Sequence, residues 1–90
     1  MAILKMPGPM RSYVDDQREL IVKGKTVAEA LKSLVAQFPA LEPYITNQRG
    51  ELRPFVNIFL GGINIRELKG LATPVGEEDE ISMLLSAAGG

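Results

Sequence analysis

The spacing of apolar side chains along the chain turns helical once, between stretches of strand-like spacing, and that change separates short strands from a single helix. Residues 2–6 (Ala-Ile-Leu-Lys-Met) form a short β-prone run that ends at Pro7 and Pro9, which lack backbone donors. Turn-forming residues, Asp15 and Asp16 among them, fill residues 8–17, and residues 18–23 read as a second strand. A hairpin with a long connection is predicted. From Thr26 the period becomes helical: Val27, Ala30, Leu31, Leu34, Val35 and Phe38 make one apolar stripe, and Glu29, Lys32, Ser33 and Gln37 take the opposite face. Thr26 and Glu29 have the spacing of a capping box, in which each side chain satisfies a free backbone donor at the helix start. Pro39 ends the helix.

Beyond the helix, residues 41–45 suggest a helical turn anchored by Leu41 and Tyr44, and the polar residues 47–52 a loop. Residues 54–60 are the strongest strand, with Val56, Ile58 and Leu60 on one face and Phe55, Asn57 and Phe59 on the other. Gly61-Gly62 reads as a turn requiring positive φ, leading into a short return strand over residues 63–65. No lysine or helix start follows it at the spacing a phosphate loop requires. Residues 68–75, with Gly70 and Pro74, are expected to be irregular. Residues 77–80 are four consecutive acids whose side chains point in different directions. They predict a solvated turn rather than a calcium loop, which needs alternating oxygen ligands and a glycine bend. Residues 81–85 form the last strand, with Ile81, Met83 and Leu85 facing one side.

One helix carries one apolar stripe and needs one sheet face to cover it. The order β-β-α-β-β-β therefore predicts an α+β, β-grasp (ubiquitin-like) fold: a mixed sheet packed on one main helix, its terminal strand lying centrally. The whole chain, residues 1–90, is expected to be one such domain with a flexible C-terminal tail over residues 86–90.

Composition narrows the chemistry. Ten Lys and Arg against eleven Asp and Glu give a net charge of −1, with no basic excess to bind nucleic acid. Cysteine and histidine are both absent, which removes the thiol nucleophile, the disulfide, the usual general base and the commonest metal ligands. No paired carboxylates stand out, so the chain is not expected to be a self-contained enzyme, nor to hold a metal or cofactor of its own. No apolar run is long enough to span a membrane, and a soluble, cytoplasmic protein is expected. What remains is the end of the chain, Ala87-Ala88-Gly89-Gly90, where a carboxylate on two residues without side chains suits a narrow active-site channel in another protein.

The segments Pro7 with Met10-Arg11, Thr26-Val27-Ala28-Glu29-Ala30-Leu31, Arg53-Pro54-Phe55-Val56-Asn57-Ile58-Phe59, Gly70-Leu71-Ala72-Thr73-Pro74, Asp79-Glu80-Ile81 and Ala87-Ala88-Gly89-Gly90 together resemble one family. It is the MoaD/ThiS family of ubiquitin-like sulfur carriers, and the branch most similar is the one that carries sulfur for cysteine biosynthesis. Two features depart from that branch: Ser86 stands where a proline or a bulky apolar residue is common, and Gly61-Gly62 where Asn-Gly is expected.

The resemblance implies that a ubiquitin-activating-like adenylyltransferase and sulfurtransferase uses ATP and Mg²⁺ to convert the Gly90 carboxylate to an acyl-adenylate and then to a thiocarboxylate, with Gly89 giving access. It implies two further partners, a pyridoxal-phosphate-dependent cysteine synthase that accepts the sulfur and a metallopeptidase that later frees cysteine. Phe59, Leu68 and Leu84, with Ala87 and Ala88, are the expected partner-binding residues, the first three on the sheet face away from the helix. Rival readings are a modifier joined to target lysines through Gly90, the small subunit of a pterin-sulfurating synthase, a thiamine-pathway carrier, and an interaction domain with an inert tail.

Overall fold

The computed structural model describes residues 1–86. Five strands and one principal helix form in the order β1 (Ala2–Lys5), β2 (Glu19–Val22), α1 (Val27–Gln37), α2 (Glu42–Ile45), β3 (Val56–Leu60), β4 (Ile63–Asn64) and β5 (Glu80–Leu85), with α2 a single turn. The strands make one mixed sheet of order β2-β1-β5-β3-β4. β1 pairs antiparallel with β2 and parallel with β5, while β3 runs antiparallel to both β5 and β4. The terminal strand is thus central, as the β-grasp reading of the sequence expects.

Alternation along the strands decides what is inside. Leu4, Val22, Val56, Ile58, Ile81 and Met83 turn to the helix side and are fully or almost fully buried, and the α1 stripe of Val27, Ala30, Leu31 and Leu34 is buried with them. Val35 lies at the margin of that stripe and is only half-buried. Phe38 falls just past the helix end and packs against the core from there.

The helix start follows the capping pattern with one change. Thr26 Oγ1 accepts from the Glu29 amide at 3.2 Å, but the Glu29 carboxylate reaches to the Lys25 amide, at 2.9 Å, one residue before the cap. Gly24 permits this approach. Its φ of 145° is one that side chains rarely adopt, and a Cβ there would stand 2.6 Å from Glu29 Cβ and 2.8 Å from the Ala30 nitrogen. Across the turn, Val27 N–H donates to Thr73 O and Val75 N–H to Lys25 O, which stitches the helix start to the chain ahead of β5.

Three segments differ from the sequence reading. The connection before β2 is not only a turn: residues Gly8–Val14 form a 3₁₀ helix that buries Met10 and Val14 and ends on Asp15 in the left-handed region, at φ 55°. Tyr13, on the same segment, hydrogen-bonds Tyr44 of α2 at 3.3 Å, and that bond raises the Tyr13 pKa above the ordinary phenol value. The return strand is shorter than predicted, because Asn64 Oδ1 accepts from the Arg66 amide at 2.9 Å and turns the chain. Ile65 therefore opens a 3₁₀ turn, Ile65–Glu67, and is buried there rather than paired in the sheet. The stretch expected to be irregular holds a further 3₁₀ turn, Gly70–Ala72, closed by Thr73, whose hydroxyl donates to Gly70 O at 2.6 Å. Gly61 and Gly62 form the two-residue hairpin turn with φ of 59° and 86°, positive at both positions.

Candidate functional site

The face of the sheet turned away from α1 carries Glu19 and Ile21 on β2, Ile3 and Lys5 on β1, Glu80, Ser82 and Leu84 on β5, Asn57 and Phe59 on β3, and Asn64 on β4. Its apolar groups fall into two clusters. Phe59 stands opposite Ser82, and Leu84 opposite Asn57, so Phe59 and Leu84 are diagonal neighbours on adjacent strands. Phe59 is half-buried and Leu84 is 52% exposed. On the other flank Ile3 and Ile21 face each other across β1 and β2, and both are exposed, Ile21 at 59%. Between the clusters runs an ion pair, Lys5 Nζ to Glu80 Oε1 at 2.9 Å. The hydrogen bond that Lys5 donates to Glu80, more than the Glu80 charge, raises the Lys5 pKa above the ordinary lysine value.

Of the residues expected to bind partners, the structure puts Phe59 and Leu84 together on this face. Leu68 is exposed but belongs to no strand; it follows the 3₁₀ turn after β4. Ala87, Ala88, Gly89 and Gly90 lie outside the described residues. Ile3 and Ile21 were not singled out from the sequence, since alternation alone leaves open which face of so short a strand is inside.

The exit of β5 is more highly built than the sequence implied. Ser86 N–H donates to Phe55 O at 2.8 Å, and the Ser86 hydroxyl is hydrogen-bonded by Asn57 Nδ2. Asn57 Oδ1 in turn accepts from Arg66 Nη1 at 2.7 Å, while Arg66 Nη2 reaches Val56 O at 3.1 Å and Pro54 O at 3.4 Å. Arginine can only donate, so it fixes the amide: the Asn57 oxygen faces Arg66 and its NH₂ faces Ser86. A guanidinium on a turn after β4 is in this way connected to the last described residue of the chain.

Among the described residues, no group of three or more acidic, cysteine or histidine side chains is placed to hold a metal ion. The acidic run has local partners instead. Asp79 Oδ2 accepts from the Gly76 amide at 2.6 Å, and Glu80 pairs with Lys5. No helix among the described residues is long and apolar enough to cross a membrane. The apolar groove between α1 and α2, about 340 Å³, is lined by Leu31, Val35, Ile45 and Leu71 with Lys32 and Glu42 and holds no constellation of reactive groups.

A family model described as the ThiS family matches residues 4–90, nearly the whole chain and through its last residue. The chain belongs to the ThiS family. A putative sulfur carrier protein of Archaeoglobus fulgidus is 38% identical over 78 residues, covering 78% of this chain and 89% of that one. The sulfur carrier protein CysO of Mycobacterium tuberculosis is 26% identical over 89 residues, covering 97% and 96%. Among solved structures, a chain of the Amycolatopsis orientalis BexX/CysO complex superposes with a TM-score of 0.91 at 21% identity, covering 100% of both chains, and shows the shared β-grasp fold. Small archaeal modifier protein 1 of Methanosarcina acetivorans gives 0.85 at 33% identity, covering 99% and 95%. The ThiS-family chain is therefore a ubiquitin-like β-grasp protein of the group that contains sulfur carriers and protein modifiers.

Proposed function

We propose that this ThiS-family chain is a sulfur carrier, a protein cosubstrate whose Gly90 carboxylate is the group that turns over. The observation that carries the reading is the family match continuing through Gly89-Gly90, at the end of a chain without cysteine or histidine to do chemistry in its place. A carboxylate is a poor electrophile, and activation must convert its oxygen to a leaving group. An oxygen of Gly90 attacks the α-phosphorus of ATP, held with Mg²⁺ by the activating adenylyltransferase, and the bond to pyrophosphate breaks. Sulfur at the hydrosulfide level then adds to the acyl carbon and AMP leaves, giving the thiocarboxylate with no change of oxidation state at carbon.

The thiocarboxylate is a soft nucleophile. In the cysteine-forming reading it attacks an activated carbon held by a pyridoxal-phosphate-dependent synthase, and a metallopeptidase afterwards releases the amino acid. Similarity to CysO, at 26% identity over almost the full length of both chains, supports this pathway. The likeness to small archaeal modifier protein 1 supports a second reading, in which the activated Gly90 is captured by a lysine amine of a target protein. Intact mass after incubation with ATP, Mg²⁺, an activating enzyme and sulfide separates the two. Exchange of one oxygen for sulfur supports the carrier, whereas high-mass conjugates that survive thiol reductant support the modifier.

A further inference from the structure

We infer that Arg66, Asn57 and Ser86 form a positioning relay that sets where and in which direction the chain leaves the sheet toward Gly90. The inference rests on the carrier reading, because it assigns these residues to the presentation of the Gly90 carboxylate. None of them bears the reacting group.

The relay is directional. The Arg66 charge strengthens its bond to Asn57 Oδ1, and that bond leaves the Asn57 NH₂ to donate to the Ser86 hydroxyl. Ser86 N–H is already tied to Phe55 O at 2.8 Å, so both the backbone and the side chain of Ser86 are held against β3. Arg66 is itself anchored. Its amide is held by Asn64 Oδ1 and its guanidinium by the Val56 carbonyl, which fixes the donor at one end of the relay before Asn57 and Ser86 are added.

Stability alone does not account for this arrangement. Ser86 is exposed, the bond between the Asn57 and Ser86 side chains is open to solvent, and hydrogen bonds of that kind add little to folding. Their effect is instead local. They tie residue 86, one position past the end of β5, to the strand beside it, and so fix the point from which the chain continues toward Gly90. Restricting the exit of a segment raises the fraction of docked complexes in which its end is correctly aimed. Docking is left to the sheet face and aiming to the relay, so the two should separate in kinetics.

The test measures activation by the adenylyltransferase, as ATP–pyrophosphate exchange, for the full chain and the variants Ser86→Ala, Asn57→Leu, Asn57→Asp and Arg66→Met. Ser86→Ala and Asn57→Leu are expected to lower kcat about five-fold, the weight of one modest hydrogen bond, with KM for the carrier unchanged. Asn57→Asp should stay near the wild type, because a carboxylate still accepts from Arg66 and the Ser86 hydroxyl can turn to donate to it. Arg66→Met also removes the bonds to the Val56 and Pro54 carbonyls, so its thermal midpoint is measured beside that of Ser86→Ala, which should match the wild type. Independently of activation, Ser86→Ala and Asn57→Leu should lower the ¹⁵N order parameter of the residue 86 amide.

Wild-type kcat in both Ser86→Ala and Asn57→Leu overturns the relay while leaving the carrier reading intact, as does an unchanged residue 86 order parameter. Failure of the wild type itself to undergo exchange with any activating partner overturns the carrier reading and the relay's role together.

Discussion

The two faces of the sheet, built from the same strands one residue out of phase, are held to different standards. On the helix side Leu4, Ile58, Ile81 and Met83 are sealed against Leu34 and Val27, with essentially no solvent contact. On the far side Ile3, Ile21 and Leu84 remain in water beside an ion pair. Apolar area left exposed contributes little to folding, and the carrier proposal gives these groups, on the two central strands β1 and β5 and the edge strand β2, a use in docking a partner. Under the carrier proposal the inner face answers to stability and the outer face, with the exit of β5, to recognition.

The sharpest way to break this contrast is to truncate one residue on each face. Leu34→Ala removes a fully buried side chain and should cost about 2–5 kcal/mol in chemical denaturation, a large fraction of the stability of a domain this size. Leu84→Ser should change stability by no more than about 0.5 kcal/mol, yet raise KM for the carrier in activation about ten-fold. A Leu84→Ser protein that is destabilised but activated normally would reverse the assignment of the faces.

A smaller effect concerns the ion pair between the clusters. Because Glu80 raises the Lys5 pKa, the pair's contribution is fully present below the ordinary lysine value and is lost as pH rises through the raised one. The thermal midpoint difference between the wild type and Lys5→Met should therefore be small, and should close at strongly alkaline pH. A difference that persists there would mean that Lys5 acts through its aliphatic stem instead.

The parts of the fold that were legible in the sequence are those in which neighbouring residues carry the pattern. The α1 stripe, the alternation of Val56, Ile58, Ile81 and Met83, and the Thr26 cap all follow from local spacing, and together they lead to the β-grasp order. The 3₁₀ helix over Gly8–Val14 was not legible, because Met10 and Val14 are its only buried anchors and two prolines hide any period. Ile65 read as strand because it continues an alternation that Asn64 interrupts through a side-chain hydrogen bond. At the candidate site, of Phe59, Leu68 and Leu84, expected on one sheet face, Phe59 and Leu84 are neighbours there and Leu68 is not, because it follows a 3₁₀ turn rather than a strand. The Arg66–Asn57–Ser86 connection could not be recognised, since it joins residues on three separate segments and exists only once β3 and β5 are in register.

The central claim is that Gly90 is the reacting group and the folded domain its handle. It is tested most directly by intact mass of the full chain and of a Gly90 deletion, each incubated with ATP, Mg²⁺, an activating adenylyltransferase and sulfide. The account predicts exchange of one oxygen for sulfur in the full chain, mapping to the C-terminal peptide, and none in the deletion at an unchanged thermal midpoint. Sulfur incorporated equally by the deletion, or mapped to any residue other than Gly90, would contradict it.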